Sequence, residues 1–195
     1  MGDIGVFFLS LVIFCDKASS VNTKNLNRSD YIKPDRLDHR KISGRWYLYM
    51  DTRDTDVRDN TFGDFDVLGN GKLVNNLYRW FPDLEECRTT ALSFDPISSD
   101  PETAVKFRVT RRSTNETLGM QTFLYIDDHP TEGFLIMHQE THMDTYLITT
   151  RQRDPSNLDD DIEAALLELD LDPQNFRVKS TNYGCERNRE HGLEL

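Results

Sequence analysis

Eight short strand-like runs follow one another along most of this chain, and a single helical stretch appears only after the last of them. That order constrains the fold more tightly than composition does, because an alternating βαβ protein would interleave its helices with its strands. The runs are 44–53, 62–68, 72–81, 87–95, 103–112, 119–127, 132–140 and 143–151. Turn chemistry separates them: Gly69-Asn70-Gly71, Phe81-Pro82-Asp83, the stretch from Asp95-Pro96 to Asp100-Pro101, Ser113-Thr114-Asn115, and Asp127-Asp128-His129-Pro130. Such short connections favour sequential antiparallel pairing, since a parallel neighbour needs a crossover of about a dozen residues.

Alternation indicates which faces are inside. In the run from Ala104 to Val109 the apolar residues share one face and Lys106 and Arg108 the other, so Phe107 and Val109 are expected to point inward. The runs Thr122–Ile126 and Phe134–Met137 are apolar on both faces. One face must fill an interior while the other lies beneath a further element. A helix supplies it. Asp154-Pro155-Ser156-Asn157 offers a stop and a cap, and the aspartates at 159 to 161 suit the positive end of a helix dipole. Ile162 to Leu169 has helical apolar spacing, and Asp172-Pro173 should follow the end. The expected fold is all-β: an eight-stranded antiparallel up-and-down β-barrel with one C-terminal α-helix packed on the outside.

With 195 residues, one barrel domain uses nearly all of the chain. Residues 1–20 read as a signal peptide: about ten apolar residues, too few to span a bilayer, run up to Cys15 and are followed by Asp16, Lys17 and the small residues Ala18-Ser19-Ser20. Asp3 stands where a positive charge is usual. Residues 21–41 read as a polar, extended lead-in, 42–185 as the barrel domain, and 186–195 as a polar tail. Of three cysteines, Cys15 leaves with the signal peptide, and Cys87 and Cys185 remain as an even pair suited to an oxidising, extracellular compartment. The triplets Asn27-Arg28-Ser29 and Asn115-Glu116-Thr117 are glycosylation acceptors consistent with secretion. A net charge of −11 speaks against nucleic acid and anionic membranes as partners, and no later segment has the apolar length of a membrane-spanning helix.

Metal and catalytic signals are weak. The acidic run Asp51, Asp54, Asp56, Asp59 lacks the spacing and closing glutamate of a calcium loop and reads as solvated. His138 and His142 have no companion ligands of metal spacing. No metal or other cofactor is expected. No Ser/His/Asp order is legible, so a non-enzymatic role is expected.

Three pieces of the sequence resemble the lipocalin family. Ile42-Ser43-Gly44-Arg45-Trp46 is similar to its Gly-x-Trp motif opening the first strand. Thr150-Arg151-Gln152-Arg153-Asp154-Pro155 is similar to the arginine and proline that end the eighth strand and lead into the external helix. The tail through Asn182-Tyr183-Gly184-Cys185 looks like the stretch after that helix. The family's Thr-Asp-Tyr motif is replaced by Asp127-Asp128-His129, where Asp128 matches the aspartate. The resemblance implies a disulfide between Cys87, at the start of the fourth strand, and Cys185. It also implies that Trp46 plugs the closed end of the barrel while the Arg153 guanidinium lies over the indole and donates to nearby carbonyls.

An eight-stranded barrel is just wide enough for side chains or one small ligand. The candidate interior residues are Leu48, Met50, Phe65, Val67, Tyr78, Phe107, Val109, Phe123, Tyr125, Met137 and Tyr146. In strands three, six, seven and eight a one-residue slip in register would reverse the assignment. Apolar walls with a few hydroxyls suit a secreted carrier or scavenger of a fatty acid, retinoid, sterol or bilin type of molecule. Two alternatives stand beside it. Tyr183-Gly184-Cys185 is similar to the ending of lipocalins that dock larger proteins, which implies an interaction module with a protein receptor or partner. Capture of an amine would need an acid inside the barrel, and Glu140 and Asp144, the nearest candidates, are expected to face solvent.

Overall fold

The computed structural model of the protein describes residues 36–54, 60–141 and 144–186. The expected signal peptide with Cys15, the acceptor Asn27, Asp56, Asp59, His142 and the tail from residue 187 lie outside the described residues.

Eight strands are β1 (Gly44–Asp51), β2 (Phe62–Val67), β3 (Leu73–Phe81), β4 (Glu86–Pro96), β5 (Lys106–Arg111), β6 (Glu116–Ile126), β7 (Phe134–Glu140) and β8 (Asp144–Thr150). Each pairs antiparallel with the next, and β8 returns to β1 through Tyr47↔Thr150 to Asp51↔Leu147, which closes the sheet into an up-and-down barrel. After β8 come a 3-10 turn, helix α1 (Asp159–Glu168) and the two-residue strand β9 (Arg177–Val178), which pairs with β1 at Met50 and Asp51. Strand β2 pairs only with Gly44–Tyr47 of β1. Asn60 bridges the place where β2 and β9 diverge, donating through Nδ2 to the carbonyls of Leu48 and Ser180 at 2.6 and 2.8 Å.

One end of the barrel is shut. Residues 37–42 lie across it, with Leu37, His39 and Ile42 fully buried, so the last residues of the lead-in belong to the core and are not a solvated extension. The Leu37 amide donates to Thr103 O and the His39 ring Nε2 to Ala104 O, both at 2.9 Å, fastening the segment to the β4–β5 connection. Trp46 sits above this plug, its indole N–H donating to Ile42 O at 2.7 Å.

The cation over the indole is Arg151 and not Arg153. Its guanidinium lies 3.7 Å from the Trp46 ring centroid and donates to Lys41 O and Arg45 O at 2.9 and 3.1 Å. The reason is strand parity: Leu147 and Thr149 face the barrel interior, so the residue two further on does as well. Arg153, beyond the strand end, has turned to the outside, 5.8 Å over Tyr183 and 3.8 Å from the Glu186 carboxylate. Burial pushes the Arg151 guanidinium down to about 10, which leaves it charged at neutral pH. Gly44 makes room for this arrangement. Its φ of +97° is a region other residues avoid, and a Cβ there would stand 3.1 Å from Arg151 Nη1. At the β6–β7 corner of the same end Asp128 pairs with Lys41 at 2.5 Å, and Asp127 caps the His129 amide at 3.0 Å.

A second cluster lies outside the barrel. Tyr49, Tyr125, Phe134, Ile136 and Ile148 face outward beneath Ile162, Ala165 and Leu166 of α1, which accounts for the two-sided apolar runs of β6 and β7. Two breaks in pairing build this layer. The register slips between Leu48 and Met50 on β1 and between Phe123 and Tyr125 on β6. Each bulge resets the alternation, so Met50 and Tyr125, expected inside, turn outward to the helix. The helix begins through a 3-10 turn at Ser156–Leu158 with no side-chain cap, and Tyr49 Oη donates to Asp159 Oδ1 in its first turn at 2.5 Å.

A third cluster, of Phe62, Tyr78, Trp80 and Tyr183, surrounds the disulfide between Cys87 and Cys185, whose Cα atoms are 5.3 Å apart.

Two measurements check this account. Arg151→Ala strips the indole of its cation and removes the donors to two part-buried carbonyls, and should lower stability by about 2–4 kcal/mol, whereas Arg153→Ala should cost about 1 kcal/mol or less. Urea unfolding of both variants decides it, and equal losses would refute the assignment. Cys185→Ser opens a loop with a sequence separation of 98 residues. The chain-entropy model puts that loss at about 4–5 kcal/mol, read as a falling urea midpoint.

Candidate functional site

Above the plug the barrel encloses a cavity of about 360 Å³ that opens at the other end. Its floor is aromatic. Phe65 and Phe94 lie at 5.5 Å, and edge-to-face contacts join Phe107 to Phe94 at 6.2 Å and to Phe123 at 5.7 Å. Leu77, Leu92, Leu118, Met137 and Leu147 form the middle of the wall.

Polar side chains interrupt this wall at a few places. Asn75 and Gln121 are almost wholly buried, and Gln121 Nε2 approaches the Met137 sulfur at 2.8 Å. Gly63, diagonal to Asn75 across the β2–β3 pair, leaves the space that the amide fills, since a Cβ there would collide with it. Asn75 Oδ1 and Thr149 Oγ1 are buried with no hydrogen-bond partner among the described residues. Unsatisfied polar atoms each cost roughly 1–3 kcal/mol, so their place beside a cavity is informative.

The mouth is cationic. Arg53, Arg79 and Arg111 line it, and among the described residues the lining contains no carboxylate. Arg53 Nε donates to Asp51 Oδ2 at 2.8 Å, and Asp51, fully buried, is also paired with Lys179 Nζ at 2.9 Å. Lys179 Nζ further donates to Arg53 O at 3.1 Å, so the three side chains form one locked unit between β1 and the segment after β9. Arg111 Nη1 donates to Glu116 at 2.7 Å in an exposed pair. Arg79 is exposed, its guanidinium 5.4 Å from the Phe81 ring.

Of the interior residues expected from sequence, Leu48, Phe65 and Met137 line the cavity. Phe107, Val109 and Phe123 point inward but are packed in the closed-end cluster, with Val67 at its margin, so they carry the floor and leave no open space. Met50 and Tyr125 are outside because of the bulges. Tyr78 and Tyr146 are outside because β3 and β8 have the opposite parity: Asn75, Leu77 and Arg79 face in on β3, and Leu147 and Thr149 on β8. Tyr78 stacks on Phe62 at 4.9 Å, and Tyr146 on His138 at 4.6 Å. Glu140 pairs with Lys106 at 2.7 Å on the outer face, and Asp144 is exposed. Arg111 has the inward parity of Phe107 and Val109 on β5 and could have been read from it, Arg53 lies beyond the end of β1, and Arg79 was missed because polar and apolar residues fall on both faces of β3. Only the pairing of Phe65 with Asn75 tells which face is the inner one.

No family model and no curated protein matches this sequence. Solved structures do. Apocrustacyanin C2 superposes with a TM-score of 0.58 at 13% identity, covering 78% of this chain and 84% of its own. Lobster apocrustacyanin A1 gives 0.58 at 13% identity, over 79% and 85% of the two chains. The cockroach allergen Per a 4 gives 0.58 at 13% identity, over 77% and 92%. At that identity the likeness speaks for architecture alone. A closed eight-stranded up-and-down barrel, plugged at one end under Trp46 and Arg151 and flanked by a helix after β8, together with these superpositions, shows that the chain has the lipocalin fold.

Proposed function

We propose that this protein is a secreted carrier or scavenger of a small, largely apolar molecule held in the barrel. The observation that carries the reading is the one-ended cavity of about 360 Å³, aromatic at the floor and aliphatic at the wall. That volume lies within the range of about 300–1,000 Å³ in which small-molecule sites fall. Chains of similar fold make a carrier role reasonable but do not name a ligand. Both cysteines among the described residues are joined to each other, which accords with an oxidising compartment and offers no thiol for nucleophilic catalysis. Asn115 is exposed on the β5–β6 turn with φ +57°, an accessible position for a glycan.

The test is native mass spectrometry of the protein secreted from eukaryotic cells, followed by denaturing extraction. A stoichiometric small apolar molecule is expected. Leu147→Trp should fill the wall and lower its occupancy by tenfold or more while leaving the melting temperature within a few degrees. A bare mass, with no quenching of Trp46 fluorescence by fatty acids, retinoids or bilins, would reject the carrier role in favour of a protein-docking module.

A further inference from the structure

Positive charge gathers at the mouth of a chain that is strongly acidic overall. The sequence holds 23 Lys and Arg against 34 Asp and Glu, yet among the described residues the titratable side chains lining the cavity are arginines alone. They sit on alternate elements of the open rim: Arg53 just after β1, Arg79 near the end of β3, and Arg111 at the end of β5. Adjacent strands lie about 4.8 Å apart, so side chains as long as arginine on alternate strands can meet over the opening.

Among the described residues the nearby acids do not neutralise this ring: Asp54, next to Arg53, is exposed and pairs with Arg177. Asp51 divides one negative charge between Arg53 and Lys179, so that unit keeps a net positive charge. Glu116 balances Arg111, while Arg79 rests over an aromatic ring with no carboxylate partner among the described residues. Asp83 and Glu85 on the β3–β4 turn are exposed and outside the lining, and Glu86 is engaged by Arg88. The buried carboxylate of Asp51 also holds Arg53 in a fixed pose, so little side-chain freedom would be lost when it meets a ligand.

From this arrangement we infer that the ligand is an amphiphilic anion, whose apolar tail lies along Leu77, Leu92 and Leu147 and whose carboxylate is held at the mouth by Arg53, Arg79 and Arg111. The inference rests on the carrier reading and narrows it. A planar guanidinium meets a carboxylate with two parallel hydrogen bonds, a match that an alcohol or a sterol hydroxyl cannot give. A neutral ligand covering the opening would desolvate cations without compensating them, and an amine would be repelled.

The test compares three molecules with one tail and different heads: dodecanoate, dodecanol and dodecylamine, titrated by calorimetry into the intact, delipidated protein. Dodecanoate should bind tenfold or more tightly than dodecanol, with dodecylamine weakest. In Arg79→Gln the acid should lose most of that advantage while dodecanol binds as before; Arg79 is exposed and makes no ion pair among the described residues, so the fold should persist. Equal binding of acid and alcohol, or an acid preference that survives in the Arg79→Gln/Arg111→Gln double variant, would overturn the anion assignment and leave the carrier role standing. Binding of none of the three, with no molecule found by native mass spectrometry, would remove both.

Discussion

The contact between Arg151 and Trp46 decides what kind of barrel this is. A sheet closed on itself has two openings, and an aqueous passage through a small barrel would expose the very residues that should drive folding. Here the guanidinium, 3.7 Å above the indole, draws the carbonyls of Lys41 and Arg45 to itself, while its own backbone amide donates to Gly133 O at 2.8 Å. One side chain thereby joins the plug, the first strand and the β6–β7 corner. A lysine has neither the planar face to stack nor the fork to reach two carbonyls. With that end shut, the four phenylalanines above the plug pack without water, and the remaining volume becomes a cup.

The outer surface solves a second problem. Strands β6 and β7 carry apolar residues on both faces, and an exposed apolar wall would invite aggregation. Helix α1 covers that wall with Ile162, Ala165 and Leu166, and the bulges on β1 and β6 add Met50 and Tyr125 to the covered patch. The segment after α1 then runs across β1 as β9, and Asn60, Tyr183 and the disulfide pin it down. Glu186 anchors the strap, accepting from Arg45 Nη1 at 2.8 Å and from Tyr47 Oη at 2.5 Å. Burial, with help from that carboxylate, pushes the Tyr47 phenol up to about 12, so it remains a donor throughout the physiological range.

The mouth is made from the same parts. Asp51 is where β1 meets both β8 and β9, and its carboxylate binds Lys179 from the C-terminal strap and Arg53 at the rim. A buried carboxylate needs such company, since an isolated charge in the interior costs several kcal/mol. The strap that braces the outside of the barrel therefore also sets the position of a cation at its opening.

Much of the architecture was legible in the chain by itself, because it rests on local signals. Strand runs, turn residues and a lone late helix prescribe a sequential antiparallel barrel, and Phe107 and Val109 fall inside as their clean alternation requires. The place of Trp46 at the closed end and the pairing of Cys87 with Cys185 followed from likeness to a known family, which pointed to Arg153 where Arg151 lies over the indole. What tertiary structure decided was parity. Whether Tyr78 or Leu77, Tyr146 or Leu147 faces the cavity depends on which partner each strand meets, and where a bulge inserts an extra residue depends on the layer above it. Both are set by contacts distant in sequence, so the choice between Arg151 and Arg153, the buried role of Leu37 and His39, and the arginine ring at the mouth emerge only when the barrel closes.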